Sequence, residues 1–314
     1  MGVNETVFPS KKERKHFEHL KDVWAREYRL FSNLPFLTVF NLRNLQDATD
    51  RQNPKPFDVS KEDVRRLKKT SIDYTLCDLD DSPLVCIEFD GISQGYNQAQ
   101  KYLGGRAANP WRRRITNLKL RIAHGSNFPF FVMGSSHFQV IDSADKLAIV
   151  DCVIGSVLSN KEMDRRFSEG FEPEEMGYTE EQFERLSKRA QNAVLEDWCV
   201  GVEANSIFMK NPLFKAKWEL LLKLDVHRWG QGLVEDPRLI GVSDPEMRSQ
   251  IIGSSTVVGA HAWVELPSGK QFNATVWIPD FKVPGYSPYG FIDDLAVYVA
   301  LKRAERKRSK HYPK

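Results

Sequence analysis

Residues 71–90 read SIDYTLCDLDDSPLVCIEFD and contain two apolar stretches separated by turn-forming residues. Apolar and polar side chains alternate over 71–77, as in a strand with one buried face. Residues 78–83 are rich in aspartate and include a serine and a proline, which favour turns. The stretch 84–90 is again strand-like. Together the two stretches predict a β-hairpin.

The two predicted strands carry three acidic side chains. Strand alternation places Glu88 and Asp90 on the same face of the second strand, and Asp73 lies on its neighbour. Acids that point from adjacent strands into one cleft cannot all stay ionised cheaply. A divalent cation relieves that repulsion, and carboxylate oxygens favour Mg²⁺ or Mn²⁺ over Zn²⁺. The pattern therefore predicts a metal site, with a merely solvated strand face as the alternative.

Elements on both sides of the hairpin predict an α/β domain. A capping-box pattern at Ser10 and Glu13 and apolar residues at helical spacing indicate a leading helix. After the hairpin, a basic segment has the apolar spacing of an amphipathic helix. The elements expected besides the hairpin are a helix over 10–31, a strand over 36–42, short helix 60–69, helix 111–124, strand 128–133 and helix 144–158.

The second half of the chain predicts a separate α+β module. Polar and charged residues dominate 159–180, which we interpret as a linker between a domain over 1–158 and a module over 181–314. The elements expected in or near this module are helices over 179–198 and 212–227, a hairpin formed by 255–266 and 271–278, and a helix over 291–308.

Composition limits the function classes. The chain has 314 residues, of which 41% are hydrophobic and 28% are charged, so it can bury a sizeable core and is not a disordered polymer. No apolar run approaches the ~20 residues of a membrane helix, and the first residues lack the apolar stretch of a secretory signal. The four cysteines lack the spacing of a zinc site. We expect a soluble, reduced, cytoplasmic protein without a membrane partner.

The hairpin resembles a known family. The run Ser71-Ile-Asp73-Tyr, followed by Cys-Ile-Glu88-Phe-Asp90-Gly91, is similar to the PD-(D/E)XK nuclease superfamily. More closely, it resembles a bacterial branch whose core strand ends in Ile-Glu-x-Asp-Gly, and the likeness covers roughly residues 10–135. It implies a restriction-endonuclease-like fold, with a mixed central sheet flanked by helices. It also implies an endonuclease that hydrolyses nucleic-acid phosphodiester bonds with Mg²⁺ or Mn²⁺, DNA more than RNA.

The resemblance also implies roles for individual residues. Asp73 and Glu88 would hold the metal with help from the carbonyl of Phe89, and Glu13 on the leading helix would complete the site. Asp90 stands where the superfamily usually has a lysine. It would orient the attacking water or the phosphate, or bind a second metal.

Because Asp90 replaces the superfamily's usual lysine, another residue has to supply the positive charge of the site. Lys119 on the following helix is the candidate implied by the bacterial branch. Gln94 stands where that branch often has a histidine. Gln98 and Tyr102 match a Gln-x-x-x-Tyr pattern of RecB-like nucleases, which would bring Lys101 close to the site as a second candidate.

The helix over 111–124 is itself basic and predicts contacts with phosphates. A run of arginines could follow a nucleic-acid backbone while an aromatic side chain stacks on a base. A solvated basic helix face is the alternative. The residues concerned are Trp111, Arg112, Arg113, Arg114 and Arg121.

Two other functions stay open. A nuclease fold without catalysis would serve as a DNA-binding or assembly module. Alternatively, the His-Ala-Trp run at His261 is similar to the histidine strand of transglutaminase-like cysteine hydrolases, with Cys199 upstream and Asp280 downstream in the expected order. A buried cysteine and an ordinary hairpin histidine are the structural alternative to that triad.

The C-terminal module has less specific signals. Residues 286–291 are aromatic and turn-rich and could cover a ligand, a base or only the core. The basic segment over 302–314 could bind phosphates. These features make the module a candidate for DNA recognition or dimerisation, and the family resemblance suggests a homodimer or a larger defence complex.

Overall fold

The computed structural model describes residues 11–41, 60–90, 110–134, 146–234, 257–279 and 283–311. Within these ranges the chain forms a mixed α/β structure with two sheets. No helix in the described ranges has the length and apolar character that crossing a membrane requires.

The first sheet has four strands in the order β1-β2-β3-β4. The first three strands pair antiparallel, whereas β4 runs parallel to β3. The strands are β1 (Arg29–Pro35), β2 (Ser71–Cys77), β3 (Pro83–Asp90) and β4 (Phe130–Gly134). The sheet is therefore mixed, and the predicted hairpin supplies its two central strands.

The hairpin turn is fixed by its aspartates. Asp78 Oδ1 accepts hydrogen bonds from the backbone N–H groups of Asp80 and Ser82, at 3.0 and 2.8 Å. Asp81 adopts a left-handed backbone with φ of 65° and pairs with Arg29 on β1. Short polar side chains tolerate this conformation, which explains why an aspartate-rich sequence connects the strands.

Helices cover both faces of this sheet. Helices α2 (Phe36–Val39), α3 (Lys61–Leu67) and α4 (Pro110–Gly125) lie on one face, and α1 (Lys11–Trp24) and α5 (Lys146–Glu169) lie on the other. On β3 and β4, alternate residues pack toward opposite faces of the sheet. On β4, Phe131 and Met133 pack toward α1 and α5, whereas Phe130 and Val132 pack toward α4.

The N-terminal expectation is wrong in two places. The leading helix ends at Trp24 instead of continuing to residue 31, and Arg29–Pro35 is a strand that pairs with β2. The predicted strand over 36–42 begins instead with a short helix, Phe36–Val39. The apolar residues of this region fit both helical and strand spacing, and pairing with β2 decides between them.

The second sheet is antiparallel and lies in the later part of the chain. The elements there are α6 (Glu180–Glu184), α7 (Lys188–Lys210), α8 (Pro212–Leu224), β5 (Arg228–Val234), β6 (Val257–Glu265), β7 (Gln271–Pro279) and α9 (Ile292–His311). The strand order is β5-β6-β7, so the sheet contains the predicted hairpin and an additional strand, β5, that the sequence did not indicate. Helices α8 and α9 pack on one another, and α9 packs on the sheet.

One apolar core contacts both sheets. It includes residues from β2 to β4, from α1 and α5, and from β6, β7 and α9. Helix α5 continues to Glu169, so residues 159–169 of the expected linker are helical. The division into two domains stays a prediction.

Candidate functional site

The two central strands bring Asp73 and Glu88 together. Tyr74 pairs with Ile87, and the same antiparallel register continued by one residue sets Asp73 opposite Glu88. The backbone N–H of Phe89 donates a 2.8 Å hydrogen bond to Asp73 Oδ2, which fixes that carboxylate. Asp73 and Glu88 both line a cavity of about 320 Å³ between the sheet and α4. The structure therefore gathers the two carboxylates that the sequence predicted to be neighbours.

Lys119 completes this cluster from α4. Its Nζ donates to Glu88 Oε1 and, at 2.7 Å, to the backbone carbonyl of Ser71. The lysine side chain is 6% exposed and that of Glu88 is 14% exposed. The apolar residues Leu118 and Ile122 anchor α4 in the core and thereby hold Lys119 over the strands. We call Asp73, Glu88 and Lys119 the carboxylate–lysine cluster.

Burial makes the Glu88 carboxylate costly to ionise. Desolvation raises the pKa of Glu88 above its ordinary value, and the negative charge of Asp73 acts in the same direction. The cations of Lys119 and Arg112 oppose this shift. The net rise in the pKa of Glu88 therefore comes chiefly from burial, which the attraction of Lys119 and Arg112 offsets only in part.

Basic and aromatic side chains form the cavity wall. Trp111 and Arg112 come from the first turn of α4, and Arg66 comes from α3. The Arg66 guanidinium lies 4.0 Å from the centroid of a Trp111 ring. Trp111 remains 48% exposed. The described lining also contains Thr70, Ser71, Phe89, Ile115, Thr116 and Val132.

Arg114 forms a salt bridge with Asp63. Its Nε and Nη2 donate to the two carboxylate oxygens of Asp63, at 3.0 and 2.8 Å. Asp63 also accepts from Ser60 at the N-terminus of α3. These bonds, led by the one from Arg114, hold the pKa of Asp63 at about 2. Arg114 therefore joins α3 to α4, although its own side chain is 57% exposed.

The remaining predicted residues fall into two groups. Arg113 and Arg121 are exposed on α4 but do not belong to the described lining of the cavity. The side chains of Glu13 and Asp90 lie outside the described part of the structure. The described residues exclude both the backbone and the side chains of Gln94, Gln98, Lys101 and Tyr102.

The described side chains of the cavity supply only some of the ligands that a hard divalent cation needs. Within the described ranges, no group of three or more His, Cys, Asp or Glu side chains is placed to hold a metal. Asp73 and Glu88 nevertheless present two carboxylates to an open cavity. Mg²⁺ is commonly held by one or two carboxylates and completes its octahedron with water and phosphate oxygens. The two carboxylates therefore fit magnesium or manganese and do not resemble a zinc site.

The proposed cysteine triad is not assembled in the described structure. Cys199 is exposed on α7, and no hydrogen bond joins it to His261 in the described ranges. His261 Nδ1 instead lies 3.0 Å from Thr275 Oγ1 across the β6–β7 pair. Asp280 lies outside the described residues. The other three cysteines are buried, and burial raises the pKa of Cys86 to about 12.

The aromatic segment over 286–291 lies against α5. Ser156 Oγ donates to the Ser287 carbonyl, and Asn160 Nδ2 donates to the carbonyl of Gly285. Tyr289 and Phe291 line a second cavity of about 350 Å³ between this segment, α5 and α7.

Sequence reasoning missed Arg66 as a site residue. The residue was part of a short charged helix with no feature that distinguished it. A local signal was present, because the Ser60–Asp63 capping box fixes where α3 begins and hence which residues share a face. Its position beside Trp111 depends on how α3 packs on α4, which no local pattern reveals.

Comparison with known proteins adds no relative. No family model matches the sequence, and neither the search of curated proteins nor the search of solved structures returns a significant match.

Proposed function

We propose that this protein is a metal-dependent nuclease that hydrolyses nucleic-acid phosphodiester bonds, with DNA as the preferred substrate over RNA. The observation that carries the proposal is the carboxylate–lysine cluster in a solvent-open cavity with a basic wall. Carboxylates for a cation, a lysine for the phosphate and arginines for the backbone are the groups that phosphodiester hydrolysis requires.

In this proposal Asp73 and Glu88 hold the divalent cation. The cation, when bound, lowers the pKa of water and offsets charge on the phosphate. The hydrogen bond from the Phe89 N–H fixes the Asp73 carboxylate, so the carboxylate needs little reorganisation before the reaction. Glu13, Asp90 and the carbonyl of Phe89 remain the candidate additional ligands.

Lys119 is the cation expected to stabilise charge on the reacting phosphate. The Ser71 carbonyl and Glu88 hold its ammonium at the cavity floor, and the side chain is almost fully buried. A cation fixed in this way interacts strongly with developing charge because the surrounding dielectric is low. Lys119 would thus take the part of the lysine that the superfamily usually places at position 90.

The order of elements supports a restriction-endonuclease-like core. Helix α1 and strand β1 come first, the short helices α2 and α3 follow, and then come β2, β3, α4 and the parallel strand β4, with the two acids on the central strands. The family resemblance rests on the same hairpin. A role in host defence or DNA processing, and assembly as a homodimer or a larger complex, follow from the resemblance alone.

The proposal predicts metal-dependent cleavage that requires Asp73. Plasmid DNA, single-stranded DNA and RNA are incubated with the full-length protein in Mg²⁺, Mn²⁺ or EDTA. We expect cutting of DNA with either metal, none in EDTA, and a loss of cutting in Asp73→Asn. Asp80→Asn is the matched control, because Asp80 is an exposed acid in the turn of the same hairpin. Cutting that survives in EDTA or in Asp73→Asn would contradict the assignment.

A DNA-binding module without catalysis is the second candidate. One observation favours it, namely that Lys119 already neutralises Glu88 and therefore competes with a cation. This candidate predicts DNA binding with no cutting in any metal, and binding that Asp73→Asn leaves unchanged. The same experiment, with a binding assay added, distinguishes the two.

A further inference from the structure

The wall of the cavity contains an aromatic side chain with a cation over it. Arg66 lies above a Trp111 ring at 4.0 Å, well within the range of a cation–π contact. Arg66 Nε also donates to Glu62 at 3.0 Å, so the guanidinium is held by its own helix as well as by the indole. Both Trp111 and Arg66 line the cavity that holds the carboxylate–lysine cluster.

Trp111 nevertheless remains open to solvent. Almost half of its surface, 48%, is exposed although Arg66 covers a ring. A large exposed aromatic surface with Arg66 over one ring and Arg112 in the same cavity wall is a suitable platform for a nucleobase. Base stacking on such side chains is tolerant of sequence, because every base has a flat face.

The partner of this platform must be an unpaired base. In a duplex each base is stacked between its neighbours, and exposing one requires unstacking and unpairing. In a single strand the faces are accessible without that cost. We infer that the cavity takes single-stranded nucleic acid, or the unpaired end or flap of a duplex, with one base stacked on Trp111 beside Arg66. This inference rests on the proposed function for its cleavage but not for its binding.

The helix sets the distance between the stacked base and the cleaved bond. Trp111 and Lys119 are both on α4, eight residues apart. With a rise of about 1.5 Å per residue, the separation along the helix axis is about 12 Å. A stacked strand advances about 3.4 Å per nucleotide. The stacked base should therefore lie about three to four nucleotides from the phosphate that is cut.

Binding in EDTA tests the inference without cleavage. Fluorescence anisotropy is measured with a labelled single strand of about 15 nucleotides and with the matching duplex. We expect the wild type to bind the single strand more tightly than the duplex. Trp111→Ala should weaken single-strand binding about 5- to 100-fold, and Trp111→Phe should retain most of it. Duplex binding should change little in either variant.

Trp229→Ala is the matched control. Trp229 is 38% exposed and has an aromatic neighbour, Trp218, but belongs to β5 in the second sheet. It should leave the affinity for both probes unchanged. If the wild type prefers the duplex, or if Trp111→Ala weakens both probes equally, the inference is wrong. The second result would mean that Trp111 only holds α3 against α4.

A scan with abasic positions locates the stacked base. One base at a time is removed from the single strand, and the affinity in EDTA and the cleavage rate in Mg²⁺ are measured. We expect a single sensitive position about three to four nucleotides from the cut, which Trp111→Ala abolishes. Trp111-dependent binding without cleavage would overturn the proposed function but support the inference. Cleavage of duplex that is indifferent to Trp111 would overturn the inference but support the function.

Discussion

Two buried lysine–carboxylate pairs in this protein have the same exposure and different surroundings. Lys119 and Glu88 are 6% and 14% exposed, and Lys217 and Asp294 are 7% and 14% exposed. Lys119 opens onto a cavity that it shares with Asp73. Lys217 lies over the ring of Phe214 at 4.1 Å and joins α8 to α9.

The comparison shows that burial and ion pairing do not by themselves indicate chemistry. What distinguishes the first pair is a second carboxylate on the adjacent strand and a cavity with basic walls. In the second pair, the Lys217 ammonium lies 4.1 Å from the Phe214 ring centroid and 5.4 Å from that of Trp218, and it donates a hydrogen bond to Asp294. Loss of the Lys217–Asp294 pair should therefore reduce stability, whereas loss of the Lys119–Glu88 pair should reduce activity.

The largest expected effect is the loss of stability on breaking the Lys217–Asp294 pair. Asp294→Asn removes the carboxylate that pairs with the buried Lys217 ammonium. We expect the free energy of unfolding, measured by urea denaturation, to fall by about 3–5 kcal/mol. Glu305→Gln, which alters a partly exposed acid on the same helix, is the control and should cost far less. An unchanged stability of Asp294→Asn would refute the structural role of this pair.

Replacing the cavity lysine should chiefly affect the reaction rate. Lys119→Met removes the cation that we propose for the phosphate, and we expect cleavage in Mg²⁺ to slow about 10²- to 10³-fold. Lys217→Met is the matched variant and should preserve the rate of the folded protein. Single-turnover kinetics at saturating protein separates these effects from binding. Equal loss of rate in both variants would show that the two pairs do not differ in kind.

The Arg114–Asp63 pair gives a pH dependence of stability. The pKa of Asp63 is lowered to about 2, below its ordinary value of 3.8. The ionised form is therefore favoured by folding, and its contribution is present above about pH 4 and is lost as the pH falls toward 2. Asp63→Asn should lower the free energy of unfolding by about 1–3 kcal/mol at neutral pH and weaken this acid dependence. This pH dependence is tested by acid titrations of the wild type and of Asp63→Asn, followed by circular dichroism.

A smaller effect is expected from the metal alone. If Mg²⁺ at ten times its dissociation constant binds only the folded protein, it adds about 1.4 kcal/mol to the free energy of unfolding. The wild type should be stabilised in this way and Asp73→Asn should not be. Asp80→Asn, in the turn of the same hairpin, should respond like the wild type. Stabilisation of all three proteins would place the metal elsewhere.

The hairpin and its two carboxylates could be predicted because their signals are local, whereas Lys119 was expected only from the family resemblance. Alternation assigns Asp73 and Glu88 to their strands, and the pairing of β2 with β3 follows from a short turn. Helix α4 was also expected almost where it lies, and its apolar face fixes where Lys119 points. The general α/β class follows from the same elements.

The wrong expectations concern elements that depend on contacts between residues far apart in the sequence, and no local pattern contains those contacts. Residues 29–35 have apolar spacing that suits a helix, and only pairing with β2 makes them a strand. The end of α5, over 159–169, is polar because it leaves the core. There Arg165 pairs with Glu162 and Glu169 one turn away, as in a solvent-exposed helix. The hydrogen bond between Arg114 and Asp63 joins residues 51 positions apart, so no local sequence pattern predicts it either.

The most direct test of the central claim compares two glutamates under single-turnover conditions. DNA cleavage is measured in Mg²⁺ and in EDTA for the wild type, Glu88→Gln and Glu265→Gln. Glu265 is the matched control, a partly buried strand glutamate that pairs with Arg228 in the second sheet. We predict a Mg²⁺-dependent rate that falls at least about 100-fold in Glu88→Gln and is unchanged in Glu265→Gln. A Glu88→Gln protein that is folded and cuts at the wild-type rate would contradict the account.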